Sequence, residues 1–426
     1  MLDLQLLRDH PERVREALIA KRAGAPTLVD HALDLDARRR ALTTETNETQ
    51  ARANAAAKAI GALIGQGKTD EAEAAKAESA NLKARVKTLE DDQRTLDAEL
   101  RRALLELPNL PHESVPVTAP GAPIENVVAY ETDGKPTFDF EPLPHWELLE
   151  RHGLVDFERG VKVTGAGFPF YVGKGARLQR GLIAFFLDQA DAAGYTEIQP
   201  PLVVNEASGI GTGQLPDKEA QMYTVPLDGF YLIPTAEVPV TNFRRDEILD
   251  EADLPIKYAA HTPCFRREAG SYGKDVRGLN RLHQFDKVEL VQFVRPEDSY
   301  DALERLRADA ERLLRLLELP YRRLLMCTAD LGFTQTKKYD LEVWSAAQER
   351  WLEVSSVSNF EAFQARRANV RYREPGGKPA FVHTLNGSGL ALPRVVAALL
   401  ENHQQADGSI RIPDALVPYL GFDRIG

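Results

Sequence analysis

The stretch CFRREAGSYGKDVRG, residues 264–278, combines side chains that bind anions with glycines that permit a loop. Arg266 and Glu268 lie two residues apart, and in a strand such residues share a face. A planar guanidinium binds a carboxylate or a phosphate through two parallel hydrogen bonds. The pattern predicts a strand followed by a basic hairpin loop, residues 269–280, that closes over an anionic ligand.

Carboxylates recur on the strands expected beside this one. Residues 281–294 alternate in a way that is typical of a strand, and residues 339–344 and 351–356 indicate another strand pair. The alternation places on one side His283, Phe285, Lys287 and Glu289. The carboxylates concerned are Glu237, Glu268, Glu289, Glu342 and Glu353. Carboxylates that share a cleft are costly unless they bind metal ions, ammonium groups or arginines, so a cationic ligand is expected there.

A second candidate for anion binding is Arg394, in the segment HTLNGSGLALPR at residues 383–394. Pro393 fits the first turn of the apolar helix that follows, and Arg394 then lies at the positive end of that helix. The Gly-Ser-Gly triplet is weak evidence by itself. Together, Arg394 and Arg266 predict two guanidinium groups at one anionic ligand.

The N-terminal third of the chain has the composition of long helices. Between Leu28 and Leu107 proline is absent, and apolar or small residues recur at alternating spacings of three and four. Residues 64–70, IGQGKTD, interrupt the pattern with glycines that permit a reversal. We therefore expect an antiparallel two-helix coiled coil, with a first helix roughly 54 Å long. Its register pairs Leu42 with Leu96, and Thr46 with Gln93.

The function of this arm is left open by its charge. A dimerisation or scaffold element is the simpler interpretation, and a projecting arm that grips an elongated partner is the alternative. Cations cluster at 38–40, at 83–87 and at 101–102, but acidic residues roughly balance them.

Composition narrows the class of protein. The chain has 426 residues, a formal net charge of −11 and two cysteines, and no apolar run approaches the length of a membrane helix. These values predict a cytoplasmic protein of at least two domains, without disulfide bonds and without an association with membranes. They disfavour a globally basic nucleic-acid binder but leave a local basic stripe possible.

Beyond a proline-rich linker at 108–126, the pattern becomes mixed α/β. A helix at 179–193 runs into an expected strand at 194–204, where Pro200 and Pro201 favour a sheet edge or an interface because proline cannot donate to a central ladder. An ordinary helix–strand junction is the alternative.

At this point a resemblance becomes specific: the whole chain is similar to the bacterial-type seryl-tRNA synthetases, which are class II aminoacyl-tRNA synthetases. The opening MLDLQLLRDHPERVREAL is similar to the first helix of that family. Residues 194–201 resemble class II motif 1, FRRE with its loop and Phe285 resembles motif 2, and NGSGLALPR resembles motif 3. Family signatures also occur as GTGQLP, PTAE, KKYDLEVW and EVSS.

The resemblance implies an α+β fold, in which a class II catalytic domain has a central antiparallel sheet flanked by helices. It implies an N-terminal tRNA-binding domain at 1–110, with a coiled-coil arm at about 28–107, and a catalytic domain at 111–426. It further implies a homodimer that uses the motif 1 region.

The resemblance also implies chemistry and ligands. Serine would react with ATP to form seryl-adenylate, and the serine would pass to tRNA(Ser) and to tRNA(Sec), gripped by the arm. Arg266 would bridge the serine carboxylate and the α-phosphate, and Arg394 would hold the γ-phosphate. Phe285 would stack on adenine, and Glu268 would accept a hydrogen bond from the exocyclic amino group of adenine. Glu353 and Ser356 would bind Mg²⁺.

The residue sets implied by the family are larger. The serine contacts are Thr235, Ala236, Glu237, Arg266, Glu289, Asn386 and Ser388. The ATP contacts are Arg266, Arg267, Glu268, Leu282, Phe285, Glu353, Val354, Ser355, Ser356 and Arg394.

Two other classes of protein remain as alternatives. A related ligase that loads a carrier protein would have a missing or altered arm, whereas the heptad pattern here is intact. A nonenzymatic coiled-coil adaptor would have lost one of three key residues, whereas Arg266, Glu268 and Arg394 are all present.

Overall fold

The computed structural model describes residues 1–217, 219–269 and 277–426. The described residues form two compact units, Met1–Pro108 and Asn109–Gly426. Most of the glycines and one cation of the expected hairpin loop, Gly270, Gly273 and Lys274, lie outside the described residues.

The first unit is helical. Two short helices precede two long ones: α1 Leu4–Asp9, α2 Pro11–Ala20, α3 Thr27–Gly65 and α4 Thr69–Leu105. The side chain of Asp3 caps α1 by accepting from the backbone N–H of Gln5, at 2.7 Å. Between the long helices, Gly67 adopts a φ of +71°, which glycine reaches without strain.

The pairing of α3 with α4 confirms the predicted coiled coil. Every residue that the sequence placed on the seam is buried or half-buried, including Ala53, Leu89 and Leu96. The side-chain amide of Gln93 contacts Thr43 Oγ1 at 3.4 Å, one helical turn before Thr46. Arg85 also donates to Glu45 across the pair at 2.6 Å. Antiparallel packing thus buries the small and apolar stripe of each helix.

The second unit contains the remaining elements. Its α-helices are α5 His145–Arg151, α6 Phe157–Val163, α7 Lys174–Ala192, α8 Glu206–Thr212, α9 Glu237–Asn242, α10 Ser299–Leu316, α11 Ala362–Ala368, α12 Leu392–His403 and α13 Val417–Leu420. Its longer strands are β1 Val127–Glu131, β9 Ile256–Phe265, β10 Gln284–Val294, β11 Tyr321–Leu325, β12 Lys337–Ser345, β13 Arg350–Glu361 and β16 His383–Ala391.

Shorter strands complete this unit. They are β2 Val155–Asp156, β3 Phe170–Tyr171, β4 Thr196–Glu197, β5 Val203–Asn205, β6 Thr224–Val225, β7 Phe230–Leu232, β8 Ile248–Asp250, β14 Arg371–Arg373, β15 Ala380–Phe381, β17 Ile410–Arg411 and β18 Arg424–Ile425. Three single 3-10 turns occur at Glu251–Asp253, Pro296–Asp298 and Thr328–Asp330.

The central sheet has eight strands in the order β1-β11-β12-β13-β16-β10-β9-β4. All neighbours pair antiparallel except β4, which runs parallel to β9 at one edge. Helices α7, α10 and α12 pack on one face and form the main hydrophobic core with it. Helix α10, for example, presents Leu303, Leu306 and Leu313 along one stripe. The predicted α+β class with an antiparallel sheet is confirmed.

Two strand predictions were wrong in extent. The expected strand at 194–204 is only β4 at 196–197, and β5 at 203–205 belongs to a different sheet. Pro200 and Pro201 fall in the break, where they cannot donate to a ladder. Strand β9 ends at Phe265, so Arg266 and Glu268 follow the strand, and Glu268 turns the chain with a φ of +49°.

Within the described ranges, no helix has the length and apolar character that crossing a membrane requires.

Candidate active site

The face of the sheet opposite α7, α10 and α12 forms the floor of a cleft of about 510 Å³. The pairing register explains which side chains reach it. Residues directly opposite each other on neighbouring strands share a face, and Glu289 lies opposite Ser388 while Asn386 lies opposite Ser358. All four line the cleft.

Irregular pairing brings further residues to the same face. Between β12 and β13 the register shifts, so that Ser356 lies opposite Asp340 while Glu353 lies opposite Glu342. Asp340 and Glu342 share one face of β12, and Glu353 and Ser356 therefore share a face although they are three residues apart. A regular strand would have pointed them in opposite directions.

One end of the cleft holds two buried carboxylates and one lysine. Glu237 is 7% exposed and Glu289 is 2% exposed. The ammonium group of Lys287 pairs with Glu289 and donates to Thr235 Oγ1 at 2.8 Å. The amide of Gln364 donates to Glu237 Oε1 at 2.6 Å, and Gln364 in turn accepts from Thr384 Oγ1 at 2.8 Å. Each buried charge thus has a partner.

The charged and the neutral forms of Glu237 are close in free energy near neutral pH. Burial, together with the neighbouring charge of Glu289, raises the pKa of Glu237 to about 7, although Gln364 and Lys287 act in the opposite direction. A cation that entered beside Glu237 would favour the ionised carboxylate. This end of the cleft is therefore suited to an ammonium group.

The guanidinium of Arg266 lines the cleft and is held by two contacts. Its Nε donates to the carbonyl oxygen of Pro234 at 3.2 Å, and its plane lies over the ring of Phe285 at 5.2 Å. The bond to Pro234 uses one of the five N–H donors of the guanidinium. Beside it, Arg281 pairs with Glu268 at 2.8 Å.

The second guanidinium, that of Arg394, belongs to the first turn of α12. Its Nε donates to the carbonyl oxygen of Asn280 at 3.0 Å, and its NH1 donates to the carbonyl oxygen of Glu353 at 2.8 Å. Burial lowers the pKa of Arg394 from its ordinary value, yet arginine stays charged in proteins. The cleft thus has two anchored guanidinium groups that can bind anionic groups.

Glu353 and Ser356 supply oxygen atoms of the kind that Mg²⁺ prefers. Nearby, burial and the charge of Glu353 raise the pKa of Asp340 to about 7, and Lys338 pairs with Asp340 at 3.2 Å. Among the described residues no group of three or more His, Cys, Asp or Glu is arranged to hold a metal ion. A magnesium ion at Glu353 and Ser356 would therefore complete its shell with ligand oxygens and water.

The structure brings together nearly all of the site residues that the sequence suggested. Those that line the cleft are Thr235, Glu237, Arg266, Glu268, Leu282, Phe285, Glu289, Glu353, Val354, Ser355, Ser356, Asn386, Ser388 and Arg394. Two suggested residues do not line it: Ala236 is fully buried, and the side chain of Arg267 is exposed. Glu342 also does not line it, because it pairs with Arg322.

The sequence did not predict some residues in and around the cleft, or predicted their position but not their partners. The alternation correctly put Lys287 beside Phe285 and Glu289, but nothing in the pattern revealed that it pairs with Glu289. His283 precedes β10, and its Nδ1 lies 3.0 Å from the carbonyl oxygen of Arg266. Gln364 and Arg281 gave no local signal, because their partners are distant in the sequence or across a loop.

Family models match both units of the chain. A model described as the class II core domain of tRNA synthetases for G, H, P, S and T matches residues 223–403. A model described as the seryl-tRNA synthetase N-terminal domain matches residues 1–111.

Relatives with names agree with these matches. A serine–tRNA ligase of Salinibacter ruber is 62% identical over 427 residues, which cover 100% of this chain and 99% of the relative. A serine–tRNA ligase of Exiguobacterium sibiricum is 52% identical over 423 residues, with 99% and 98% covered. A crystal structure of seryl-tRNA synthetase from Pyrococcus horikoshii complexed with ATP superimposes with a TM-score of 0.93 at 37% identity, and the match covers 100% of this chain and 99% of that one.

Proposed function

Since the chain belongs to the serine–tRNA ligase (seryl-tRNA synthetase) family, we propose that its cleft joins L-serine to ATP as seryl-adenylate and then passes serine to tRNA. The observation that carries the proposal is the arrangement of one cleft. Two anchored guanidinium groups, Arg266 and Arg394, share it with two buried carboxylates, Glu237 and Glu289. A nucleotide and a zwitterionic amino acid need both kinds of group.

The first step is attack of the serine carboxylate on the α-phosphorus of ATP, with pyrophosphate leaving. The carboxylate is ionised at neutral pH, so the step needs positioning and charge neutralisation rather than a general base. Arg266 bridges the attacking carboxylate and the α-phosphate, since its outer donors are not taken by Pro234. Arg394 binds the γ-phosphate, and Phe285 stacks on the adenine ring. Glu268 accepts from the exocyclic amine.

The remaining ATP contacts are assigned by family resemblance. Leu282 contributes through its backbone or its apolar surface, and Val354 and Ser355 flank Glu353 on the cleft floor. Arg267 is assigned as an ATP contact as well, although its side chain is exposed in the structure described here. A bound nucleotide would have to draw this side chain inward.

Serine would occupy the end of the cleft that holds Glu237 and Glu289. Carboxylates compensate the ammonium group, and Thr235, Asn386 and Ser388 offer hydrogen bonds. Alanine would leave the partners of the hydroxyl group unpaired, and threonine would be rejected because there is no room for its methyl group. Ala236 would shape the pocket from beneath, since it is fully buried.

Mg²⁺ fits Glu353 and Ser356, which the irregular pairing of β12 and β13 places on one face. When bound it would neutralise phosphate charge. Glu353 and Ser356 would hold the ion, and the backbone carbonyl oxygen of Glu353 also accepts from Arg394.

The second step needs a tRNA partner. We assign the domain at 1–110, with its coiled-coil arm, to the binding of tRNA(Ser) and tRNA(Sec), where backbone and shape contacts tolerate a balanced charge. A terminal ribose hydroxyl attacks the seryl carbonyl group, and AMP leaves. The proposal includes a homodimer, as the family resemblance implies. It also includes a cytoplasmic location, because protein synthesis takes place in that compartment.

Amino-acid-dependent exchange of pyrophosphate into ATP tests the proposal. Serine, threonine, alanine and glycine are compared at equal concentration. We expect exchange with serine, and at least about a hundredfold less with each of the others. Exchange that is equal for all four amino acids, or absent with serine, would contradict the assignment.

A further inference from the structure

Beneath the cleft, a fully buried carboxylate has no place in the chemistry described above. Glu401 lies on α12 seven residues after Arg394, which puts both on the same side of the helix. Its exposed fraction is 0%, and so is that of His145, the first residue of α5. A buried carboxylate and a buried imidazole are costly unless they are fully hydrogen-bonded.

Both oxygen atoms of Glu401 are satisfied. Oε1 accepts from the backbone N–H of His145 at 3.0 Å, from His145 Nδ1 at 2.8 Å and from Gln348 Nε2 at 3.1 Å. Oε2 accepts from Ser345 Oγ and from the backbone N–H of Ala347, the latter at 3.2 Å. Burial opposes ionisation, but the bonds from His145 and Ser345 hold the pKa of Glu401 below its ordinary value.

The imidazole of His145 connects Glu401 to residues that line the cleft. Its Nε2 accepts from the backbone N–H of Leu279 at 3.0 Å, so the proton of the neutral ring is on Nδ1, facing Glu401. Gly278 adopts a φ of +61°, and a Cβ atom there would collide with His145 Nε2. The chain at 278–280 therefore rests directly on the imidazole.

The same segment holds Arg394. The carbonyl oxygen of Asn280 accepts from Arg394 Nε at 3.0 Å, and the side-chain amide of Asn280 donates to Gln348 Oε1 at 3.0 Å. Gln348 in turn donates to Glu401. Two routes, through Leu279 and through Gln348, thus join Glu401 to the carbonyl group that orients the guanidinium.

We propose that His145 and Glu401 are positioning residues for nucleotide binding, which hold residues 278–280 so that Asn280 fixes the guanidinium of Arg394 in the cleft. The inference rests on the proposed function, in which Arg394 binds the γ-phosphate. The proposed network should affect the binding of ATP and not the binding of serine. Among the contacts described, none of its hydrogen bonds reaches Glu237 or Glu289.

The test uses the full chain and serine-dependent pyrophosphate exchange, with ATP and serine varied separately. His145→Phe keeps the ring but removes both side-chain hydrogen bonds. The matched control is His152→Phe, directly after the same helix, where the imidazole binds the carbonyl oxygen of Gly408 at 3.0 Å. We expect His145→Phe to raise the KM for ATP about tenfold and to change the KM for serine less than about twofold. The control should change neither.

A double-mutant cycle shows whether the effect passes through Arg394. In an Arg394→Ala background, His145→Phe should add less than about a twofold further loss. Full additivity, or an equal rise of both KM values in the single variant, would overturn the proposal. If His145→Phe does not fold, Gln348→Ala at a half-buried position replaces it in both measurements, with the same expectations.

ATP affinity measured by calorimetry without serine distinguishes failure of this proposal from failure of the proposed function. Absence of serine-dependent exchange in the unaltered chain would sink the assigned function only. Equal ATP affinity in the unaltered chain and in His145→Phe would sink the positioning role, whatever amino acid the cleft takes.

Discussion

The side chain of Lys287 lowers the cost of burying two carboxylates in the cleft when no substrate is bound. It neutralises Glu289 and bonds Thr235, while Glu237 depends on the neutral amide of Gln364. Glu237 is therefore the carboxylate whose charge is least compensated, and its raised pKa follows from burial first and from Glu289 second. The ammonium group of a bound amino acid would supply the positive charge that compensates Glu237.

The affinity for serine should depend on pH through Glu237. Its pKa is about 7, so the carboxylate is protonated below that pH and loses its attraction for an ammonium group. We expect the KM for serine to rise about tenfold from pH 8 to pH 6, with the KM for ATP changing less. Exchange assays across this range measure both constants.

Glu237→Gln is the matched variant for that measurement, since it keeps the shape and cannot titrate. Its KM for serine should be high and nearly constant with pH. A KM for serine that is flat in the unaltered chain, or equally steep in Glu237→Gln, would contradict the assignment of this carboxylate.

At the residue scale, the sequence predicted side chains well where their signal was local. The alternation of Phe285, Lys287 and Glu289 needed only the two-residue period of a strand. The bond from Gln364 to Glu237 spans 127 positions, and no local pattern encodes it. The same holds for the bond between His145 and Glu401, which spans 256 positions.

At the scale of elements, the long helices were the most predictable part of the chain. A pattern that repeats over many helical turns stays recognisable when single positions depart from it. The sequence therefore predicted the seam of α3 and α4 almost completely. The strand at 194–204 was overestimated, because its apolar residues serve two sheets and the prolines between them break the ladder. The shift of register near Glu353 was not predictable, since it depends on the facing strand.

The seam of the coiled coil gives a stability prediction. Leu89 is 1% exposed on α4, and Leu89→Ala would leave a cavity against α3. We expect the free energy of unfolding of the first unit to fall by about 3 kcal/mol. Urea unfolding followed by helical circular dichroism measures this change.

Lys87→Ala is the control for that variant, because Lys87 is exposed two residues away on the same helix. It should change the free energy of unfolding by less than about 0.5 kcal/mol. If both variants unfold at the same urea concentration as the unaltered chain, Leu89 does not lie in a packed seam.

At the scale of the whole molecule, the described residues form two compact units. One unit contains the two paired long helices, whose charges roughly balance, and the other carries the residues that line the cleft. The resemblance predicts a tRNA-binding domain at 1–110 and a catalytic domain at 111–426, and that assignment stays a prediction. We propose that the cleft suffices for adenylate formation and that the arm is needed for the larger substrate.

Removal of Leu28–Leu107 tests this division. Serine-dependent pyrophosphate exchange should stay within about threefold of that of the full chain, while charging of tRNA(Ser) should fall at least about a hundredfold, because the phosphate and shape contacts of the arm are lost. Equal loss of both activities would count against separate roles for the two units.

The central claim is that the guanidinium of Arg266 brings the serine carboxylate and the α-phosphate together, and Arg266→Ala tests it most directly. Arg295→Ala is the control, since Arg295 follows β10 outside the cleft and pairs with Glu251 and Asp298. With folding verified by circular dichroism, single-turnover formation of seryl-adenylate should slow by about a hundredfold or more in Arg266→Ala and remain unchanged in Arg295→Ala. Formation of seryl-adenylate at the original rate in Arg266→Ala would contradict the account.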